Sequence, residues 1–219
     1  MPVPSAAPGA QDAVATVEWV RSVARGRWVR LVLVAPPGVD RGTVPVCLGL
    51  HGLGGNAEWW ADAGTRRTLG AARAGGAAPF LVAAVDGATT TGAPSGRVTI
   101  PGGCSSTSCP AGWAARRATP VRAAAVMSPG LFTEWRVASR RPFANEADWA
   151  ANDPLRFHPE LASTPTGVWV GDRDPFVVAT RRYIALARPA VGSVSTGRHD
   201  GAFYSRVLPQ VVRFLADHG

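Results

Sequence analysis

GVWVGDRDPFVVATRRYIALARPAVGSVSTGRHDGAFYSRVLPQVVRFL, from Gly167 to Leu215, is the stretch that decides the fold. Gly167–Val170 is a short apolar run of the kind that a parallel sheet buries on both faces. Residues 176–188 place apolar side chains at helical spacing, Ala190–Ser195 returns to a strand, and 203–217 reads as a closing helix. Strand alternating with helix in this way builds parallel strands joined by helical crossovers.

The same rhythm runs upstream. Val44–Leu50 (VPVCLGL), Phe80–Val85 (FLVAAV) and Val121–Met127 (VRAAAVM) are further apolar runs that read as buried strands. Residues 56–73 form a helix, with Asn56 as its cap ahead of Trp59 and Trp60. Residues 15–24 and 27–35 alternate as two strands of a hairpin, with Gly26 at the turn and Pro36-Pro37-Gly38 ending the second. The expectation is an α/β chain with a doubly wound, mostly parallel sheet and an antiparallel N-terminal hairpin. It forms a single domain over residues 15–219, behind a flexible Pro/Ala/Gly-rich leader at 1–14.

With 219 residues, 46% hydrophobic and 17% charged, the chain has globular composition and enough length for a full core. All 23 basic residues are Arg, which with abundant Ala, Gly and Pro points to GC-rich codons as the source of the +8 net charge. The Arg residues are scattered in ones and twos, whereas a nucleic-acid face needs them clustered on one element, so no nucleic-acid partner is expected. Cys47, Cys104 and Cys109 make neither a disulfide framework nor a metal-ligand spacing, and Cys47 reads as a small core residue. No metal or cofactor is expected. The N-terminus has no basic and apolar signal pattern, and no run of about 18 apolar residues exists. The chain therefore reads as cytoplasmic, with no membrane partner.

Three turns carry residues suited to acyl chemistry. In HGLGG, His51 to Gly55, the glycines Gly52, Gly54 and Gly55 let the backbone turn so that an amide, that of Leu53, points at a developing oxyanion. In Gly171-Asp172-Arg173-Asp174, a carboxylate can hold an imidazole in the right tautomer, and Asp174 is preferred over Asp172. His199, after the last strand, stands where a general base belongs. Each also has a plain reading: a simple connection, a surface turn or cap, a loop histidine. Taken together, they follow the chain order of an oxyanion turn, an acid and a base. His158 and His218 read as surface residues.

On HGLGGNAEWW, VRAAAVMSPGLF, GVWVGDRDPF and GRHDGAFYSRVLPQVVRFL, the chain resembles α/β-hydrolase serine esterases of the esterase D-like group. That group includes S-formylglutathione hydrolases and mycolyltransferase-like enzymes. The likeness covers residues 20–86 and 121–219 and implies an ester or acyl small-molecule substrate, with no cofactor. It also implies a G-x-S-x-G nucleophile elbow between the strand ending at Asp86 and the one beginning at Val121. No such motif is present. Ser128, in VMSP, follows the later strand and reads as structural, and Ser105, Ser106 and Ser108 lack the flanking glycines on both sides that permit an elbow.

The intervening segment, 87–120, breaks the pattern. Of its 34 residues 20 are Gly, Pro, Ser or Thr, and none is acidic. Helix, strand and helix with connections would need roughly 45–50 residues. Read one frame over with GC-rich codons, Gly103 to Pro110 becomes Met-Leu-Leu-Asp-Glu-Leu-Pro, an amphipathic helix, and Arg97 to Gly102 becomes Gly-Asp-Asp-Pro-Gly. The expectation is that about residues 88–110 are a frameshifted reading and that the elbow and its helix are deleted. An esterase of this lineage would then lack its nucleophile and be inactive. Exposed sheet edges and low stability would follow. The alternative is a non-catalytic binding or scaffold protein that uses the retained cleft.

Overall fold

The computed structural model describes residues 11–22, 26–52, 54–62, 64–86, 121–138, 143, 145–157 and 163–219. Leu53, His158, most of the expected leader and the whole 87–120 segment lie outside the described residues.

Strands β1 (Val14–Ser22) and β2 (Arg27–Ala35) form the antiparallel hairpin, in a register that sets Val14 opposite Ala35 and Ser22 opposite Arg27. Gly26 makes the turn at φ 62°, a left-handed conformation that suits glycine. Next come β3 (Val46–Gly49), α1 (Trp59–Asp62), α2 (Thr65–Ala74) and β4 (Leu81–Val85). β4 pairs antiparallel with β2 and parallel with β3, which gives the order β1-β2-β4-β3. After the 87–120 segment, β5 (Ala124–Met127), β6 (Thr166–Gly171) and β7 (Val191–Ser195) form a second, all-parallel sheet in that order. Between β5 and β6 lie α3 (Trp135–Ala138), α4 (Glu146–Ala151) and α5 (Pro154–Phe157); α6 (Val177–Ala187) joins β6 to β7, and α7 (Gly201–His218) closes the chain.

Helices cover both faces of β6. Successive strand residues point to opposite faces, so Val168 packs on Ala179 and Tyr183 of α6 while Trp169 packs on Phe203, Val207 and Phe214 of α7. The other apolar stripe of α7, Leu208, Val212 and Ala216, meets Val32, Val34, Val82 and Ala84 of the first sheet together with Leu69 of α2. One amphipathic helix thus lies against both sheets, and Met127 of β5 touches both of its clusters.

Three expectations are corrected, the buried strands at Val44–Leu50 and Val121–Met127 and the helix at 56–73. Val44–Leu50 is not buried on both faces: Val46, Leu48 and Leu50 are exposed, while Gly49 is buried and Cys47 packs on the core. β3 is an edge strand among the described residues, and the exposed side chains, two positions apart, share one face that the described residues leave uncovered. β5 is likewise an outermost strand of its sheet, with Val126 exposed. Burial pushes the Cys47 thiol up to about 11, so the thiolate is scarce at neutral pH. The expected helix at 56–73 is broken in two at Gly64, φ 79°, although Asn56 does cap it by accepting the Trp59 N–H at 3.3 Å. No helix among the described residues is long and apolar enough to cross a membrane.

Candidate active site

β6 ends at Gly171, and the turn that follows is stitched to the loop after β7. Asp172 N–H donates to Ser195 O at 2.8 Å, Arg173 N–H donates to Gly197 O at 2.9 Å, and Gly197 N–H donates to Asp172 Oδ1 at 2.9 Å. Gly171 permits this approach, because a Cβ there would collide with the Gly197 carbonyl. Asp172 therefore serves the loop, leaving Asp174 to face the imidazole.

Asp174 is fully buried and uses both oxygens. Oδ1 accepts the Phe176 N–H at 2.8 Å, and Oδ2 lies 2.9 Å from His199 Nδ1. Next to His199, Asp200 caps α7 by accepting the Phe203 N–H at 2.9 Å, which fixes the histidine one residue ahead of the helix cap. In a neutral imidazole this geometry leaves the proton on Nδ1 and the lone pair on Nε2, the nitrogen a general base uses. Phe176 stands edge-on to the His199 ring at 5.2 Å, and Tyr204 does so at 5.7 Å. Trp59 of α1 in turn meets Tyr204 at 6.0 Å, so the first sheet's side of the cleft reaches the histidine through two aromatic rings.

The His51–Gly55 turn follows β3. His51 Nδ1 lies 2.9 Å from Gly52 O, Gly55 N–H donates to the same carbonyl at 3.0 Å, and Gly54 takes φ 80°. The proposed Leu53 amide falls outside the described residues. The structure thus brings Asp174 and His199 together and places the glycine turn on the other sheet. His218 is exposed at the end of α7, with Nδ1 2.8 Å from Phe214 O. Among the described residues no His, Cys, Asp and Glu cluster could hold a metal.

Sequence reasoning missed the knot that holds the first half of the site. Asp86, just past β4, accepts the Ala57 N–H at 2.9 Å and takes Arg30 Nε and Nη2 at 3.2 Å each, while Arg30 Nη1 reaches Glu58 at 2.8 Å. Partial burial pushes the Asp86 carboxyl up, but the Ala57 amide and Arg30 outweigh it and hold it below the usual carboxylate range. A carboxyl depressed on folding stabilises the fold above its unfolded value, near 4, and that contribution fades as pH falls through the folded value. Between about pH 4.5 and 3 the thermal midpoint of the parent chain should therefore fall more steeply than that of Asp86→Asn. Parallel midpoint curves for the two proteins would show that this carboxylate contributes nothing on folding.

No protein-family model and no curated sequence matches the chain. Solved structures do match across nearly its whole length. A ferulic acid esterase aligns over 95% of this chain and 100% of its own, at 16% identity and TM-score 0.66. An S-formylglutathione hydrolase from Agrobacterium tumefaciens aligns over 95% and 96%, at 13% identity and TM-score 0.63. The chain has the α/β-hydrolase fold. A feruloyl esterase module from Clostridium thermocellum, at 14% identity and TM-score 0.60 over 98% of this chain and 92% of its own, shares that fold. In this α/β-hydrolase fold, Asp174 and His199 stand just past the carboxyl ends of β6 and β7, where open α/β sheets present their reactive groups.

Proposed function

We propose that this chain stems from a carboxylic-ester hydrolase and, as it stands, hydrolyses no ester. The observation that carries this reading is the buried Asp174 carboxylate 2.9 Å from His199 Nδ1, in a sequence of 219 residues without a G-x-S-x-G. In a complete relative a serine would attack the ester carbonyl and His199 would take and return its proton. Asp174 would orient the imidazole, and the Leu53 amide would hold the oxyanion. The esterase names of the structural neighbours support the lineage. Among the described residues the outer edges of β3 and β5 are both unpaired, which supports the loss of a strand that would have joined them. Two buried polar atoms without hydrogen-bond partners also sit there: Trp60 Nε1, whose ring lies against Gly49 of β3, and Ser128 Oγ, just past β5.

A fluorophosphonate probe tests the reading, since it bonds covalently only to an activated nucleophile. Intact-mass analysis after incubation should show no adduct, under conditions in which an esterase with a complete triad labels fully. A stoichiometric adduct on any serine would overturn it.

The second reading is a non-catalytic binding protein that uses the retained cleft. It is favoured by the rings of Phe176 and Tyr204 against His199, which set apolar groups beside a polar centre.

A further inference from the structure

A cavity of about 340 Å³ opens at the end of the second sheet opposite Asp174 and His199. That volume falls within the range of small-molecule sites, about 300–1,000 Å³. Three element ends meet around it: the loop entering β6 at Thr166, the turn from α6 to β7, and the last turn of α7. The length of β6 separates it from the Asp174 turn, about 16 Å at 3.3 Å per strand residue. Its described lining carries Ser163, Thr164, Tyr183, Arg188 and His218 and no carboxylate. Asp217, next to His218, is turned to Arg213, with Oδ2 3.4 Å from Nε.

Arg188 occupies a costly position. It ends α6 in the left-handed conformation, φ 46° and ψ 57°, where its N–H donates to Ile184 O at 3.0 Å. Among the described residues only Ser128 shares a positive φ without being glycine. Glycine closes a helix in this way without strain, so capping alone does not call for arginine. Strained backbone of this kind gathers at ligand clamps. The guanidinium makes no ion pair among the described residues. His218 is held as well: Nδ1 lies 2.8 Å from Phe214 O, which leaves Nε2 for a ligand.

Charge sets the ligand class. A guanidinium pairs with a carboxylate through two parallel N–H bonds. The carboxyl ends of α6 and α7 border the cavity, and each carries about half a negative charge. Together they offset about one positive charge, so Arg188 and His218 suit a monoanion better than a phosphate dianion. The hydroxyls of Ser163, Thr164 and Tyr183 suit a ligand that is itself hydroxylated.

We propose that this cavity is a second ligand site, separate from the Asp174–His199 centre, which binds a small hydroxylated monocarboxylate through Arg188. It needs neither a nucleophile nor turnover, so it stands apart from the proposed loss of activity.

D-Gluconate is the probe, titrated against the isotope-labelled full chain with amide NMR shifts as the readout. Saturating shifts are expected at Thr164, Thr166, Arg188 and Ala190. Arg188→Gly keeps the left-handed turn and should weaken binding at least tenfold while melting no lower than the parent. A purely structural Arg188 would instead lower the melting point and leave the affinity unchanged. Ala190→Glu, at an exposed lining position, sets a carboxylate in the cavity and should weaken binding as much. Unchanged affinity in either folded variant overturns the site, and if Arg188→Gly does not fold, Ala190→Glu decides alone. Absence of saturable shifts in the parent, or shifts confined to Phe176 and His199, overturns it too. Inorganic phosphate binding at the same amides more tightly than gluconate would overturn the assignment to a carboxylate.

Discussion

Turnover of p-nitrophenyl acetate is expected to lie about 10⁶-fold below that of an esterase with a complete triad, which is the cost of removing a serine nucleophile in such sites. Two rate effects separate here. The Asp174–His199 pair raises the nucleophilicity of a hydroxyl only where that hydroxyl sits within hydrogen-bond reach of Nε2. Without it, the general base has no serine proton to take, and only binding and oxyanion stabilisation remain; these supply a residual of about 10³–10⁴ over water. The internal control is His199→Ala. In a working triad that substitution costs nearly as much as losing the serine itself. In this chain it should leave the rate within about twofold of the parent. A tenfold or larger fall would show that some hydroxyl or water does work with His199, and the reading of lost activity would be wrong.

How far the site could be read from the chain depended on whether the deciding contact was local. Asp174 and His199 were legible because each follows a strand and precedes a helix, and Asp200 supplies a local cap that fixes where α7 begins. β6 was legible for the same reason, being buried throughout. β3 was misread because an apolar run does not report how the two faces of its strand will be covered, and Leu48 lies on the face left open. α3, α4 and α5 are four to six residues long, too short for a helical period to show. The Arg30–Asp86 pair is 56 residues apart in the chain, and the strain at Ser128 is a backbone property, so neither leaves a mark in the sequence. Asp172 and Asp174 were separable only by position in the turn; their different partners, Gly197 N–H and His199, are tertiary facts.

Trp169→Ala is expected to leave the chain without fixed tertiary structure at 25 °C. The indole is 1% exposed on β6, donates Nε1–H to Gln210 Oε1 at 3.0 Å, and stands edge-on to Phe214 at 5.8 Å. Gly167 makes room for it, since a Cβ there would collide with the ring. Truncating a buried Trp to Ala costs about 3–5 kcal/mol. Gln210 is exposed and turns to water, so little is added by the lost hydrogen bond. Globular domains hold only about 5–15 kcal/mol in total, and this one divides its strands between two sheets that α7 spans. Trp169 anchors the Phe203–Val207–Phe214 stripe of that helix, so its loss loosens the element that also covers the first sheet. Near-UV circular dichroism should collapse in Trp169→Ala while much of the far-UV signal survives. Trp28→Ala is the matched control: at 61% exposure on the hairpin it removes the same side chain from the surface and should shift stability by no more than about 0.5 kcal/mol. A cooperative melt of Trp169→Ala near that of the parent would mean that α7 is held to the two sheets by contacts other than this stripe.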